Sequence, residues 1–497
     1  MTISRRDFLK LTGLVATSAA LTSCNPTLFQ RAANAGRPAL GPWGPLQATD
    51  FRALNRLTFG PRAEERARFA EIGLQGWVEE QLAHEAIDDF SCNLRLKSFD
   101  TLNMQAHELA DLSDKIFDDV DLQTVPAELR QATLVRQVYS RRQLFEVLAE
   151  FWSDHFNIAT VKGDGYYLKT VDDREVIRKH ALGSFRDLLW ASAHSPAMLT
   201  YLDNQVNRKG LPNENYAREL MELHTLGVHG GYSQQDVMEL ARCLTGWTVK
   251  EHFWTGDFTF DDGIHDTGAK LVLGRHIPPG GLDEAESIVE VLAKHPSTAQ
   301  FIATKLARRF LADPPPVEIV ARAAKAFLQT NGDIRATLRV ILLDGLPVAA
   351  ARYKRPVNFV AASLRMLNAE TDGGLAVQEY LLRMGQRAFG WPTPDGYPDH
   401  DAAWQGNLMP RWQFAFALVR GELAGTSLDL DGLREASGAK TLPETIDAAA
   451  SLLLGAPLQA AQRNEWIAAA QSAGANEDET AAVLLGGMLA SPAFQWK

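Results

Sequence analysis

From Asp50 to the carboxyl end, apolar residues recur three and four positions apart in one segment after another, the spacing that gathers them on one face of an α-helix. The pattern predicts helices over 50–58, 74–84, 129–152, 173–194, 213–226 and 233–247. It predicts further ones over 284–295, 298–311, 317–330, 334–343, 357–368, 375–389 and 412–423, with more Ala/Leu-rich runs after Pro443. Only 248–273 breaks the period. There Thr248, Val249, Phe253, Trp254, Phe258, Phe260, Leu271 and Val272 interleave with Gly and Asp, as in one or two short hairpins. A chain patterned this way is all-α, a large multi-helix domain with a small hairpin excursion. Repeats of fixed period are missing, which argues against a solenoid. Pro314-Pro315-Pro316 marks a candidate subdomain break near 312–316 within a single domain over 49–497.

The amino end reads as an address. Ser4-Arg5-Arg6-Asp7-Phe8-Leu9-Lys10 has the form of a signal for the bacterial twin-arginine export machinery, and Leu11 to Thr22 follow as an uncharged, moderately apolar run. That run is well short of the roughly 20 residues needed to span a bilayer. Leu21-Thr22-Ser23-Cys24 resembles a lipobox, so residues 1–23 are expected to be removed and Cys24 lipidated. Ala33-Asn34-Ala35 offers the competing cut of an ordinary signal peptidase. The Pro/Gly-rich stretch 24–48 reads as a tether. The expected location is the periplasm or the envelope, with membrane contact only through the lipid anchor.

A net charge of −11 opposes binding to nucleic acid or anionic lipid. The three cysteines, Cys24, Cys92 and Cys243, form neither a disulfide framework nor a zinc spacing. Motifs for a serine-hydrolase elbow, a phosphate loop and a zincin helix are all missing.

Several blocks occur in a distinctive order. Asn55-Arg56-Leu57-Thr58-Phe59-Gly60 is followed by Phe151-Trp152-Ser153-Asp154-His155-Phe156 and then by the unbroken string from Asn213 to Gly227. After these come Tyr232-Ser233 to Val237, Thr245-Gly246-Trp247, His265-Asp266, Arg355-Pro356, Met384-Gly385-Gln386 and Ser491-Pro492-Ala493-Phe494. Together they resemble the bacterial family catalogued as domain of unknown function 1800, over about residues 50–495. The resemblance implies an exported bacterial protein and brings no catalytic residues with it.

Chemistry is therefore sought in the residues themselves. On a helix over 213–226, Asn215, Arg218, Glu219 and Glu222 share one stripe, while Tyr216, Leu220 and Leu223 face the core. Glu219 and Glu222 are neighbours at i,i+3 and are the leading acid/base pair. The plainer alternative is a solvated face on which Arg218 pairs with Glu222 and Asn213 caps the helix. His224 falls on the apolar side and is expected to be a core histidine bonded to a backbone carbonyl. Asp236, His155 and His265 are candidate ligands for a divalent cation, and the alternative for Asp236 is a capping box with Ser233. Trp391, Tyr397 and Trp404, in a proline-rich loop with Asp395, Asp399, His400 and Asp401, have the composition of a carbohydrate site. A loop pinned to the body by those same aromatics is the competing reading. Three function classes follow: a carboxylate-dependent hydrolase of envelope or extracellular polysaccharide, a metal-binding protein loaded before export, and a non-catalytic lipoprotein scaffold.

Overall fold

Residues 48–114, 121–250, 256–472 and 477–497 are described by a computed structural model. The signal, Cys24 and most of the tether lie outside the described residues. The amino-terminal part holds α1 (Ala48–Leu57), α2 (Ala63–Leu82), α3 (Phe90–Leu96), α4 (Ala106–Asp114), α5 (Asp121–Tyr139), α6 (Gln143–His155) and α7 (Gly165–Asp172). Next come α8 (Phe185–Ala193), α9 (Pro196–Tyr201), α10 (Glu214–Glu222), α11 (Gln234–Cys243), α12 (Leu282–Ala293), α13 (Pro296–Phe310), α14 (Val317–Gln329) and α15 (Ile334–Gly345). The rest is α16 (Pro356–Met366), α17 (Leu375–Arg383), α18 (Leu408–Val419), α19 (Leu430–Ser437), α20 (Leu442–Leu454) and α21 (Ala460–Ser472), with short helical turns over 477–495.

The expected excursion is two antiparallel hairpins. β1 (Trp247–Val249) pairs with β2 (Phe258–Phe260), and β3 (Lys270–Val272) with β4 (Arg275–Ile277). The sequence pattern did not announce β5 (Glu370–Thr371), which pairs with β6 (Thr426–Ser427). The fold is thus all-α with small two-stranded sheets. Among the described residues no helix is long and apolar enough to cross a membrane.

Two helices expected to be continuous are broken, each by a partner distant in sequence. The run 129–152 turns at Ser140-Arg141, where the Asp89 carboxylate accepts from Ser140 Oγ and the Arg141 amide, both at 2.8 Å. The run 173–194 opens with a π-helical turn (Asp173–Arg178) and breaks at Gly183-Ser184. There the amides of Phe185 and Ile334 bond to Gly332 O and Gly183 O, capturing backbone groups that a helix would have used internally.

Most of the buried apolar side chains form one large core that includes Trp77, Trp152, Trp247, Phe156 and Phe185, and Tyr353, Tyr397 and Trp404 form a small separate cluster. α13 and α14 pack against each other on either side of the three-proline turn, so the core continues across 312–316. Cys92 and Cys243 are free and buried within it. The carboxyl end returns to the middle of the chain: Lys497 and Arg352 exchange backbone hydrogen bonds at 2.8 and 2.9 Å, and Lys354 N donates to Gln495 O at 2.7 Å. The Arg56 guanidinium donates to Ala350 O, bringing α1 to the same place.

Candidate functional site

The helical repeat stacks Glu146, Glu150 and Asp154 on one side of α6, while Trp152 faces the core and donates its indole N–H to Ala181 O at 2.9 Å. Residues far away in sequence meet the lower two carboxylates. Arg309 of α13 reaches Glu150 at 3.0 Å and Asp154 at 3.5 Å, and Arg355, which precedes α16, reaches Asp154 at 2.6 Å. Asp399 contacts Arg309 at 3.1 Å, and Arg352 closes the network on Asp401 at 2.7 Å. Burial raises the Asp154 pKa against the pull of Arg355. Burial acts the same way on Asp399, but there Arg309, Arg355 and Arg352 outweigh it and hold the carboxyl well below the usual range. Asp399 and Asp401 of the acidic run are thus structural ion-pair partners.

His155 ends α6 in full burial. Lys305 Nζ donates to its Nδ1 at 2.9 Å, so its Nε2 carries the hydrogen and donates to His224 O at 3.1 Å. Burial, then Lys305, pushes the imidazole pKa far down, and burial brings Lys305 itself down to about 8. His224 corrects one expectation. It is a core residue, 1% exposed, but its ring nitrogens have no partner among the described residues; its carbonyl is the group that accepts, from His155.

The three cation candidates are not brought together. His155 serves Lys305 and His224, and Asp236 closes the capping box with Ser233 and accepts from Leu273 N at 2.6 Å. His265 Nδ1 lies 2.7 Å from Thr245 O, with its Nε2 3.4 Å from Glu284. Among the described residues no group of three or more His, Cys, Asp or Glu gathers as a metal site.

In the proline-rich loop two of the three aromatics follow the pinned-loop reading. Tyr397 and Trp404, 8% and 5% exposed, pack with Tyr353, and their polar tips bond to Arg387 O and Pro398 O. Their ring faces are committed to the protein, because this loop is pinned to the body by its aromatics. At Gly396, with φ +73°, a Cβ would stand 2.0 Å from Asp154 O, so only glycine lets the loop lie on the end of α6. Trp391 alone of the three stays only partly buried, its ring packed on Tyr397 with centroids 5.0 Å apart and its indole N–H on Asp395 Oδ1 at 2.9 Å. Asn157 Nδ2 and the Tyr201 hydroxyl tie this part of the loop down through Trp391 O, Thr393 O and Pro392 O.

Asp395 then faces α10. The Asn213 side chain caps that helix through Asn215 N, and Asn215 Nδ2 donates to Leu202 O at 3.1 Å. Arg218 pairs with Glu214 at 3.0 Å and with Gln234 at 3.0 Å, not with Glu222 as the solvated-face reading required. Glu222 accepts from the Tyr232 hydroxyl at 3.5 Å instead, and the Glu219 side chain has no hydrogen-bond partner among the described residues. Burial raises the Glu219 pKa, and Glu222 and Asp395 add to the rise against Arg218. Half-buried, without a hydrogen-bond partner and beside two like charges, Glu219 is shifted toward its protonated form.

The sequence reading missed Arg309, Lys305 and Tyr201, and quoted Tyr232 in a block without giving it a role. Arg355 stood in a quoted block without a role, and the i,i+4 pair Glu150 and Asp154 was the one available sign of a charged face on α6.

Comparison with known proteins gives one match. No curated protein and no solved structure matches the chain. A family model described as a protein of unknown function, DUF1800, matches residues 52–496, nearly all of the described chain, and the protein belongs to that family.

Proposed function

We propose that this is an exported hydrolase of envelope or extracellular polysaccharide. In this reading Glu219 is the general acid, Glu222 the base, and the partly exposed Trp391 ring a platform for a sugar face. Glu219 gives its proton to the glycosidic oxygen as the bond to the anomeric carbon breaks. Glu222 takes a proton from the water whose oxygen bonds to that carbon, leaving a free reducing end and an alcohol. The observation that carries the reading is the setting of Glu219: burial and two neighbouring carboxylates favour its protonated form, while Arg218 is engaged by Glu214 and Gln234. The twin-arginine pattern and the Cys24 lipobox support delivery across the inner membrane and attachment to the envelope, where such polymers lie. A turnover screen on envelope and extracellular polysaccharides, with Glu219→Gln as the inert control, tests the reading. Failure of every polymer to yield new reducing ends would reject it.

A further inference from the structure

The outer face of α18 carries apolar side chains that the core does not use. Phe414 and Leu418 turn inward and are buried. Met409, Trp412, Gln413, Phe416 and Arg420 recur at i, i+3, i+4, i+7 and i+11 and line the opposite side of the helix. At about 1.5 Å per residue the stripe is roughly 16 Å long. Arg383 of α17 and Glu422, just past the end of α18, complete the walls of an open groove of about 540 Å³. That lies within the range of roughly 300–1,000 Å³ usual for ligand sites.

Two features of the groove point to its ligand. The first is Trp412, 40% exposed, whose indole N–H has no acceptor and whose ring has no aromatic or cationic neighbour stacked on it among the described residues. Trp391, by contrast, packs on Tyr397 and gives its N–H to Asp395. The second is charge. Arg383 extends over the Tyr380 ring, 4.9 Å from its centroid, and donates to Gln413 Oε1. Arg420 stands 5.6 Å from the Phe416 centroid, and its guanidinium has no acceptor among the described residues. Two guanidiniums and a single carboxylate, Glu422, line the groove, so it is locally positive on a chain of net charge −11. An aromatic ring edged by guanidiniums, an amide and a carboxylate suits a sugar chain that itself carries carboxylates. The C–H face of a sugar stacks on Trp412, its carboxylates take the guanidinium forks, and its hydroxyls meet Gln413 and Glu422. The apolar face of a partner helix would leave the arginines unpaired, and a flat bilayer surface would touch the rim of the groove without filling it.

We propose that this groove binds an acidic polysaccharide, a chain of uronate sugars, with Trp412 as the stacking ring and Arg383 and Arg420 as the donors to its carboxylates. No residue of α10 lines it. It is a binding site that holds the polymer without reacting with it, and it does not depend on the chemistry of Glu219.

Calorimetric titration of the full-length protein with oligogalacturonate and with oligomannuronate, each against a neutral dextran oligosaccharide at matched ionic strength, tests the proposal. The natural protein should give saturable binding of at least one uronate oligomer and none of dextran. Trp412→Ala should weaken binding by about tenfold or more with no change in melting temperature, since the ring is exposed. The double variant Arg383→Gln with Arg420→Gln should weaken it likewise and remove most of its dependence on salt. Glu219→Gln should bind as the natural protein does. Saturable binding by a protein that releases no reducing ends would support the groove and reject the hydrolase alone. Lack of saturable binding by both uronate oligomers, equal binding of dextran, or natural affinity in the groove variants would overturn the proposal. So would binding to phosphatidylglycerol vesicles that Trp412→Ala abolishes in a protein that binds neither oligomer, an outcome that assigns the face to a membrane.

Discussion

Arg355 donates to Asp154 at 2.6 Å across 201 residues of sequence, joining the start of α16 to the last turn of α6. Arg355 is buried and Asp154 is partly so, and the alternative partners are farther away: Arg309 stands 3.5 Å from Asp154, and Glu150 is 3.6 Å from Arg355. Removing one member leaves the other charged and poorly served. Arg355→Met is therefore expected to cost about 3–5 kcal/mol in urea unfolding, and the double variant Asp154→Leu with Arg355→Met to recover part of that loss. Additive losses would show that the two do not act as a pair.

Lys305 and Lys354 impose a pH dependence. Burial brings Lys305 down to about 8, and burial with Arg411 brings Lys354 down to about 7, from 10.5 when exposed. Between pH 7 and 10.5 the unfolded chain therefore holds protons that the folded chain has released. Stability should rise with pH across this window, Lys305 contributing roughly 3 kcal/mol of the rise. Lys305→Met should flatten the part above pH 8. Stability that is constant or falls between pH 8 and 10 would contradict these assignments.

The loop aromatics should separate by role. Tyr397→Ala empties a buried site and should lower stability by about 3–5 kcal/mol. Trp391→Ala, at a partly buried position packed on Tyr397, should cost less stability than Tyr397→Ala while raising KM for the polysaccharide. Equal KM for natural protein and Trp391→Ala would remove Trp391 from the sugar platform.

Export is open to direct test. Replacing Arg5 and Arg6 together by Lys should leave precursor in the cytoplasm, and Cys24→Ala should abolish palmitate labelling. Normal export of the double variant would exclude the twin-arginine route. Unlabelled natural protein beginning near Gly36 would select the ordinary signal peptidase.

Most of the helices were legible because the period of apolar residues is a local signal, as were the two hairpins and the caps at Asn213 and Ser233; the short helices α3, α4, α7 and α9 were not, having six to nine residues each in which to show a period. The breaks at Ser140 and Gly183 were not, because Asp89 and Gly332 cause them from 51 and more residues away. Composition identified Trp391, Tyr397 and Trp404 as a group, yet burial decides what a ring can touch, and burial divides them. Helical spacing allowed Arg218 to pair with Glu214 or with Glu222. Gln234, at the start of the next helix, is bonded to both Arg218 and Glu214 and accompanies the first choice, which leaves Glu219 and Glu222 without the arginine. The ion network around Asp154 joins segments up to hundreds of residues apart, which no pattern along the chain records.

The most direct test is the rate of reducing-end release as a function of pH, for the natural protein and for Glu219→Gln. A general acid whose pKa is raised stays protonated above the ordinary carboxylate range near about 4.3, so kcat/KM should fall only as pH rises through that higher value. Glu219→Gln should lose about 10²–10⁴-fold in rate at pH values where Glu219 is protonated, the deficit narrowing above that range, while its melting temperature holds or rises, since the substitution relieves repulsion from Glu222 and Asp395. A Glu219→Gln protein that turns over substrate at the natural rate with the same pH profile would contradict the account.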